Sequence, residues 1–486
     1  MATATVVIKD EVNIKIEGVD LSERKHLANK FKYDIPGARY MPAVRLGRWD
    51  GKKAFCSIGL GTYLNLLPEI LPYLIERGYE IEIDDHRAHN TEFHFEEVNE
   101  NSYSHVVWPE GHVMAGHPVM LRDYQVHAIN NFLRQPQSIS MISTGAGKTI
   151  ITAVLSQKCE PYGRTVVIVP SKDLVKQTEA DYINMGLDVG VLFGDRKEYT
   201  KTHTICTWQS LSALIKNSQK GTGPMTIGEF LAGVICVICD EVHSAKADVL
   251  LSMLTTEMAN IPIRWGVTGT IPKEEFEARS LQVAIGEVTG TITASDLQEK
   301  GVLSNCHVHV RQLIDYTDYK DYQSELRYLL DTQARTEYIA GMIQDIGKTG
   351  NTLVLIDRVD PGKAIAACLP GAVFLSGSTK SSARKEQYDT YSTGSNAITI
   401  ATYGIAAVGI NIVNIHNLVL VEPGKSFVRV IQSIGRGLRK GKEKDFVQIY
   451  DVTSTCKFSK RHLASRKKFY TEAKYEYSVT KVDWQK

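Results

Sequence analysis

The chain has 486 residues, more than one ordinary hydrophobic core holds, so two or three domains are expected. A 43% hydrophobic and 23% charged composition is that of a soluble globular protein, and the longest apolar run of note, Leu231 to Cys239, is far too short to span a membrane. The 56 basic residues against 55 acidic ones exclude any argument for nucleic acid from global charge, so such an attraction must come from local patches.

The N-terminus, Met1-Ala2-Thr3-Ala4, lacks a basic segment followed by an apolar one, so no export signal is expected. Eight cysteines scattered over the chain suit a reducing cytoplasm better than a disulfide framework. Val6 to Ile16 alternates as a hairpin does, Leu21 to Phe31 has helical spacing, Tyr63 to Glu76 is amphipathic, and Tyr79 to Ile83 is a short strand. These make a small α+β domain over residues 1–113, ending in a polar stretch rich in Asn, Glu and His. Within it, Arg45, Arg48, Trp49, Lys52 and Lys53 surround a tight Asp50-Gly51 turn. Two readings stand side by side: a hairpin that contacts phosphates and stacks on a base, or one whose Trp49 packs on its own domain.

From Leu121 strands and helices alternate. Ser138–Ile142 is a strand before the helix Thr149–Gln157, and Thr165–Val169 precedes a helix from Lys172 to Asn184. Thr202–Cys206, Val234–Cys239 and Arg264–Val267 complete the first series. Cys236 and Cys239 resemble a redox or zinc pair but lie in a buried strand, where residues three apart face opposite ways. After a helical stretch, Tyr322 to Ile346, a second series follows: Thr352–Ile356, Ala372–Leu375, Ala397–Ala401, Asn417–Val421 and Asp445–Tyr450. Repeated strand–helix units imply parallel sheets with covered faces. The expected domains are 114–290, 291–452 and a basic C-terminal segment, 453–486, with a helix Lys457–Lys474 and a closing strand at Tyr475–Val479. That segment either contacts phosphates or covers the second domain as a solvated helix.

Chemistry concentrates in a few segments. Ser143-Thr144-Gly145-Ala146-Gly147-Lys148-Thr149 opens a helix after a strand, which is what a phosphate needs. Backbone N–H groups cradle the anion, Lys148 neutralises β/γ oxygens and the Thr149 hydroxyl ligates Mg²⁺. Ile142 stands where the usual loop has glycine. Asp240-Glu241-Val242-His243 ends an apolar strand 92 positions beyond Lys148. Asp240 is placed to reach the metal and Glu241 to act as general base on water. Far downstream, Gln432-Ser433-Ile434-Gly435-Arg436-Gly437-Leu438-Arg439 offers two guanidinium groups for developing charge.

In order and spacing this set resembles the superfamily 2 helicases of the DExH type over residues 121–452. The resemblance implies two tandem RecA-like domains binding ATP and Mg²⁺ between them. It gives Arg122 and Gln125 an adenine-reading role and Pro170, Ser171, Thr207 and Gln209 contacts to a nucleic-acid backbone. Thr268 and Thr270 would couple hydrolysis to movement, with His243 either touching the phosphate site or bonding between domains. Arg358 and Thr402 match nucleic-acid segments of the second domain, Gly409 a nucleotide contact, and Gln432, Arg436 and Arg439 the segment that supplies arginine fingers. Two positions depart from the family: Asn411 replaces a common Asp, and Thr268-Gly269-Thr270 replaces Ser-Ala-Thr. Trp208 reads as a packing residue and Lys425 as a solvated charge.

The N-terminal pattern Pro42-x-x-Arg45-x-Gly47-x-Trp49-Asp50-Gly51-Lys52 resembles that of the phage UvsW recombination helicases. This family resemblance implies ATP-driven remodelling of branched DNA, with Holliday junctions, forks and RNA–DNA hybrids as substrates, in recombination-dependent replication and repair in a host cytoplasm. RNA unwinding, or an ATP-switched clamp or annealing protein, uses the same motor segments and remains open at this point.

Overall fold

The computed structural model describes residues 2–89, 92–110, 114–242, 247–272, 274–379, 383, 386–387, 396–403, 414–424 and 446–486. They form two compact units, 1–291 and 292–486, with residues 143–146 grouped with the second.

In the first unit, alternation puts Val6, Ile8, Ile14 and Ile16 on one face of an antiparallel pair, Ala2–Ile8 with Asn13–Glu17. Tyr79–Asp85 joins Ala2–Ile8 in parallel, a pairing that needs a crossover, and the helices Leu21–Lys30 and Leu67–Glu76 lie in the connection. The expected tight Asp50-Gly51 hairpin is corrected. Lys52–Ala54 pairs with Lys32–Asp34, and the residues between include a helical turn, Pro42–Arg45.

This small sheet shares a core with the α/β part. The Phe55 and Phe276 rings lie 5.8 Å apart, and Arg279 is ion-paired with Glu69 while covering the Tyr33 ring at 5.5 Å. Backbone bonds reinforce the junction: Glu11 N–H donates to Ala259 O at 3.0 Å, and the Asn13 amide to Thr255 O at 2.9 Å. Apolar side chains of both parts form one cluster.

Among the described residues the α/β sheet has eight strands, in the order Arg196–Lys197, Val189–Phe193, His203–Thr207, Arg164–Val169, Val234–Asp240, Ile263–Thr268, Gln137–Ile142 and Glu287–Ile292. From Val189–Phe193 to Gln137–Ile142 every pairing is parallel. Arg264 is fully buried in this unit. Its guanidinium donates to the carbonyls of Ala284, Met258 and Leu254 at 2.7, 2.8 and 2.6 Å, and to Ile261 O at 3.4 Å.

His203 is also buried, with one ring nitrogen 2.7 Å from Ser156 Oγ and the other 2.7 Å from a Glu160 carboxylate oxygen. Burial holds its pKa below the ordinary histidine value against the opposing pull of Glu160. A histidine depressed in the fold takes its proton in the unfolded chain first, so stability is lost as pH falls below about 6.5. Melting curves between pH 7.5 and 5.5 check this: His203→Gln should flatten that part of the profile.

Among the described residues the second unit holds seven strands, all parallel, in the order Val373–Leu375, Ile398–Thr402, Thr352–Ile356, Asn417–Val421, Phe446–Ser454, Asn305–Leu313 and Glu476–Val482. Two α/β parts with parallel sheets behind a small α+β sheet are the expected fold class. The C-terminal helix, Lys457–Glu472, is not solvated all round: Leu463, Arg466, Phe469 and Tyr470 are buried.

Cys236 and Cys239 are free and buried in the sheet, and burial pushes the Cys239 thiol up to about 12. Among the described residues no cluster of His, Cys, Asp or Glu could hold a metal ion by itself, and no helix is long and apolar enough to cross a membrane.

Candidate active site

The parallel strands of the first unit bring distant segments to one edge. Thr207 pairs with Val169, Cys239 with Ile168, Asp240 with Val267, and Thr268 with Met141. The segments that follow therefore leave side by side at the carboxyl ends of the strands, where open α/β sheets take ligands.

Gly145 and Gly147 have φ of +91° and +81°, and the helix Lys148–Cys159 begins directly after them. At Gly147 space as well as backbone demands glycine, since a Cβ would lie 2.5 Å from Gln125 Nε2. Gln125 is thereby set against the start of the phosphate helix. Its Oε1 accepts the Arg122 N–H at 2.9 Å, and Arg122 donates to the Tyr124 hydroxyl at 2.9 Å. Thr144 and Ala146 are buried in the loop, and Thr149 is half-buried.

Lys148 Nζ forms an ion pair with Glu241 Oε1, the two side chains only 11% and 10% exposed. The other Glu241 oxygen accepts the Gly269 N–H at 3.3 Å, and Glu241 N–H donates to Asp240 Oδ1 at 2.9 Å. One carboxylate thus joins the phosphate loop, the Asp-Glu segment and the Thr-Gly-Thr segment. Glu241 sits at φ +48°, a left-handed conformation that costs a non-glycine residue on the order of 1–2 kcal/mol. Thr268 Oγ1 donates to Thr270 O at 2.8 Å, while Thr270 Oγ1 is buried without a partner among the described residues.

Left-handed glycines, a helix N-terminus and a lysine beside a buried acid fit a polyphosphate. The Thr149 hydroxyl and Asp240 carboxylate are hard oxygen donors of the kind Mg²⁺ takes.

The residues expected to meet nucleic acid are less closely assembled. Ser171 Oγ caps the helix Lys172–Asn184 by accepting Leu174 N–H at 3.3 Å, and Thr207 Oγ1 caps Trp208–Gln219 through Ser210 N–H at 3.2 Å. Pro170 precedes the first cap, and Gln209 is exposed on the second helix. Trp208 packs half-buried against the core. In the second unit Arg358 donates to Gln323 Oε1 at 2.9 Å, and Thr402 ends the strand Ile398–Thr402. His243, Gly409, Asn411, Lys425, Gln432, Arg436 and Arg439 lie outside the described residues.

On the small domain Arg45, Arg48 and Lys52 are exposed. Trp49 is half-buried, its Nε1–H donating to Lys52 O at 3.0 Å. Beside them stand two residues that sequence reasoning missed. Tyr40 is 70% exposed, and the Arg39 guanidinium lies 4.8 Å from its ring centre. The run Gly37-Ala38-Arg39-Tyr40 was the available signal, an aromatic–cation pair after a turn glycine.

The chain matches the families described as "Type III restriction enzyme, res subunit" over residues 118–273 and "Helicase conserved C-terminal domain" over residues 330–441. It is 24% identical over 470 residues to the ATP-dependent DNA helicase uvsW of Enterobacteria phage T4, covering 91% of this chain and 89% of that protein. Its fold is shared with a Leu-to-Val variant of S. cerevisiae Dbp5 bound to RNA and ADP BeF3 (TM-score 0.53, 14% identity, 74% of this chain and 90% of that one). The ATP-dependent Type ISP restriction-modification enzyme LlaBIII bound to DNA shares it as well (TM-score 0.56, 13% identity, 87% and 36%). The two matched family regions thus lie in tandem, and the chain is similar along nearly its whole length to a DNA helicase, which is the superfamily 2 likeness expected from its motifs.

Proposed function

We propose that the protein is a DNA helicase and translocase of the DExH type that remodels branched DNA, working in a host cytoplasm during recombination-dependent replication and repair. The observation that carries the motor is the Lys148–Glu241 ion pair on the edge shared with Asp240 and Thr268. ATP phosphates draw Lys148 away, which frees Glu241 to orient the attacking water. Thr149 and Asp240 would hold Mg²⁺, which would supply positive charge against the phosphates. Gln125 and Arg122 read the base, and Arg436 and Arg439 stabilise the charge that develops on the γ-phosphate. The branched-DNA reading is supported by the likeness to the T4 uvsW protein and by the exposed Arg39, Tyr40, Arg45 and Arg48. Those four lie in the connection between Lys32–Asp34 and Lys52–Ala54, in the small α+β part that shares a core with the larger sheet of the same unit.

The shared fold does not choose between nucleic acids, because it occurs in both an RNA-bound and a DNA-bound protein. ATPase stimulation and strand displacement on a four-way junction, a fork, an R-loop, plain duplex and single-stranded RNA decide the matter. Branched DNA should stimulate most, and a preference for single-stranded RNA overturns the reading. Binding and annealing without ATP-driven displacement would instead identify a clamp. The double variant Arg45→Ala/Arg48→Ala should weaken fork binding on the order of tenfold and lower its salt dependence. Its hydrolysis at saturating DNA should stay near wild type.

A further inference from the structure

The C-terminal helix of the second unit, Lys457–Glu472, has two faces of opposite character. Its inner face is fastened by buried polar groups. Arg466, 1% exposed, grips Asp451 through Nε to Oδ2 at 2.8 Å and through Nη2 to Oδ1 at 2.9 Å, and the Tyr470 hydroxyl donates to the same carboxylate at 2.8 Å. The start of the helix is held by Glu325, fully buried on the helix Tyr322–Asp331. One Glu325 oxygen accepts the Phe458 N–H at 2.9 Å. The other accepts the Ser459 N–H at 2.7 Å and the Ser459 hydroxyl at 2.9 Å.

The outer face carries Lys457, Lys460, Arg461 and Lys468, all exposed, and the half-buried Lys467, with Ala464 and Thr471 among them. At about 3.6 residues per turn these positions fall within about a third of the helix circumference, so the charges form one stripe. Glu472, the last residue, is the one acid of the helix. Among the described residues none of the five cations has an ion-pair partner, whereas Arg196, Lys201 and Lys348 each have a carboxylate within 2.7 Å. Fold stability does not ask for such a stripe. A helix start favours negative charge, yet Lys457 and Lys460 stand there, and Glu325 supplies the negative charge from inside. Lys457 also faces like charges three and four positions on, which repel it. The stripe offers charge without rings: Phe458 is half-buried, with Lys457 and Arg461 at 5.8 and 5.9 Å from its ring centre.

We propose that this stripe is a further DNA contact, one that holds the phosphate backbone of a duplex arm without reading bases. From Lys457 to Lys468 the helix rises about 16 Å, the length of about five phosphates along one strand. Single strands are held by aromatic stacking as well as by charge, so a face of charge alone suits a duplex. The stripe starts against the helix Tyr322–Asp331, whose Gln323 Oε1 accepts a bond from Arg358 at 2.9 Å. The proposal rests on DNA being the substrate. It gives a chain of net charge +1 a local source of attraction that its composition as a whole does not provide.

The test is the triple variant Lys460→Gln/Arg461→Gln/Lys468→Gln, with binding to a blunt DNA duplex followed from about 50 to about 200 mM salt. Affinity should fall about tenfold or more, and the slope of log affinity against log salt should lose about 2–3 units. Single-stranded DNA of the same length should lose less than about threefold. Lys348→Gln removes an exposed cation already paired with Asp345; as the charge control it should change duplex binding by less than about twofold. Should a melting curve show that the triple variant does not fold, Lys468→Gln alone is measured and should lower the slope by about one. Unchanged affinity and slope overturn the proposal, as does an equal loss in Lys348→Gln. A larger loss on single-stranded DNA or on a matched RNA duplex overturns the assignment to duplex DNA. Wild-type protein that binds the duplex without DNA-stimulated hydrolysis would instead sink the proposed function and leave the stripe standing.

Discussion

A Lys148→Ala variant is expected to lose ATP hydrolysis by on the order of a thousandfold or more while still binding DNA. The ammonium is the one side chain of the phosphate loop that supplies full positive charge, and no described neighbour replaces it from the same helix start. In the free protein it is engaged with Glu241. Removing it leaves a nine-tenths buried carboxylate with the Gly269 N–H for support, so stability should fall by about 1–3 kcal/mol and the fold should survive. A coupled ATPase assay, a melting curve and a DNA-binding isotherm on one preparation separate these effects. Loss of DNA binding together with hydrolysis would show that the loop is a structural element.

The largest expected effect on stability belongs to Arg264, a residue far from any reacting atom. Its four bonds go to carbonyls, and those of Leu254 and Ala284 belong to the ends of the helices Ala247–Thr255 and Glu275–Ala284. Helix C-termini carry partial negative charge and unpaired carbonyls, so a single guanidinium answers both needs. Burial lowers its pKa to about 10, which still leaves it charged at neutral pH. Arg264→Ala opens a cavity and orphans those carbonyls together, which should cost about 4 kcal/mol or more. Arg264→Met fills the space but not the bonds and should fall between alanine and wild type. Urea denaturation of the three proteins checks the order, and equal stability of alanine and wild type would refute this account of the residue.

Those two cases mark what a sequence discloses and what it hides. The helix Lys172–Asn184 and the strands Thr352–Ile356 and Asn417–Val421 are legible residue for residue. The helix follows a buried strand with helical spacing of its own, and the strands are apolar runs between polar turns. Asn305–Leu313 escapes although Cys306, Val308 and Val310 alternate, because His307, His309 and Arg311 between them resemble a polar loop. The Asp50-Gly51 turn misleads for a different reason. Local turn chemistry is real there, yet the strand that pairs with Lys52–Ala54 lies well upstream.

At the site, the loop and the Asp-Glu pair are legible because phosphate chemistry constrains both residue type and spacing. The Lys148–Glu241 pair is not, since it depends on how the strand register brings two ends together. The buried arginines are least legible of all. Charge is expected at the surface, so Arg264 reads as a strand's polar edge and Arg466 as one more cation of a basic tail.

The strand order of the second unit also has a consequence in time. Asn305–Leu313 is bounded on both sides by strands made much later, Phe446–Ser454 and Glu476–Val482. On a ribosome it waits on the order of ten seconds for its first neighbour. Through that interval its alternating valines have no sheet to join, while the first unit, complete by residue 291, is free to fold behind it. Synthesis therefore delivers the first unit's sheet well before the second unit's, and the nascent chain passes through a stage with the first unit folded and an unpaired strand behind it.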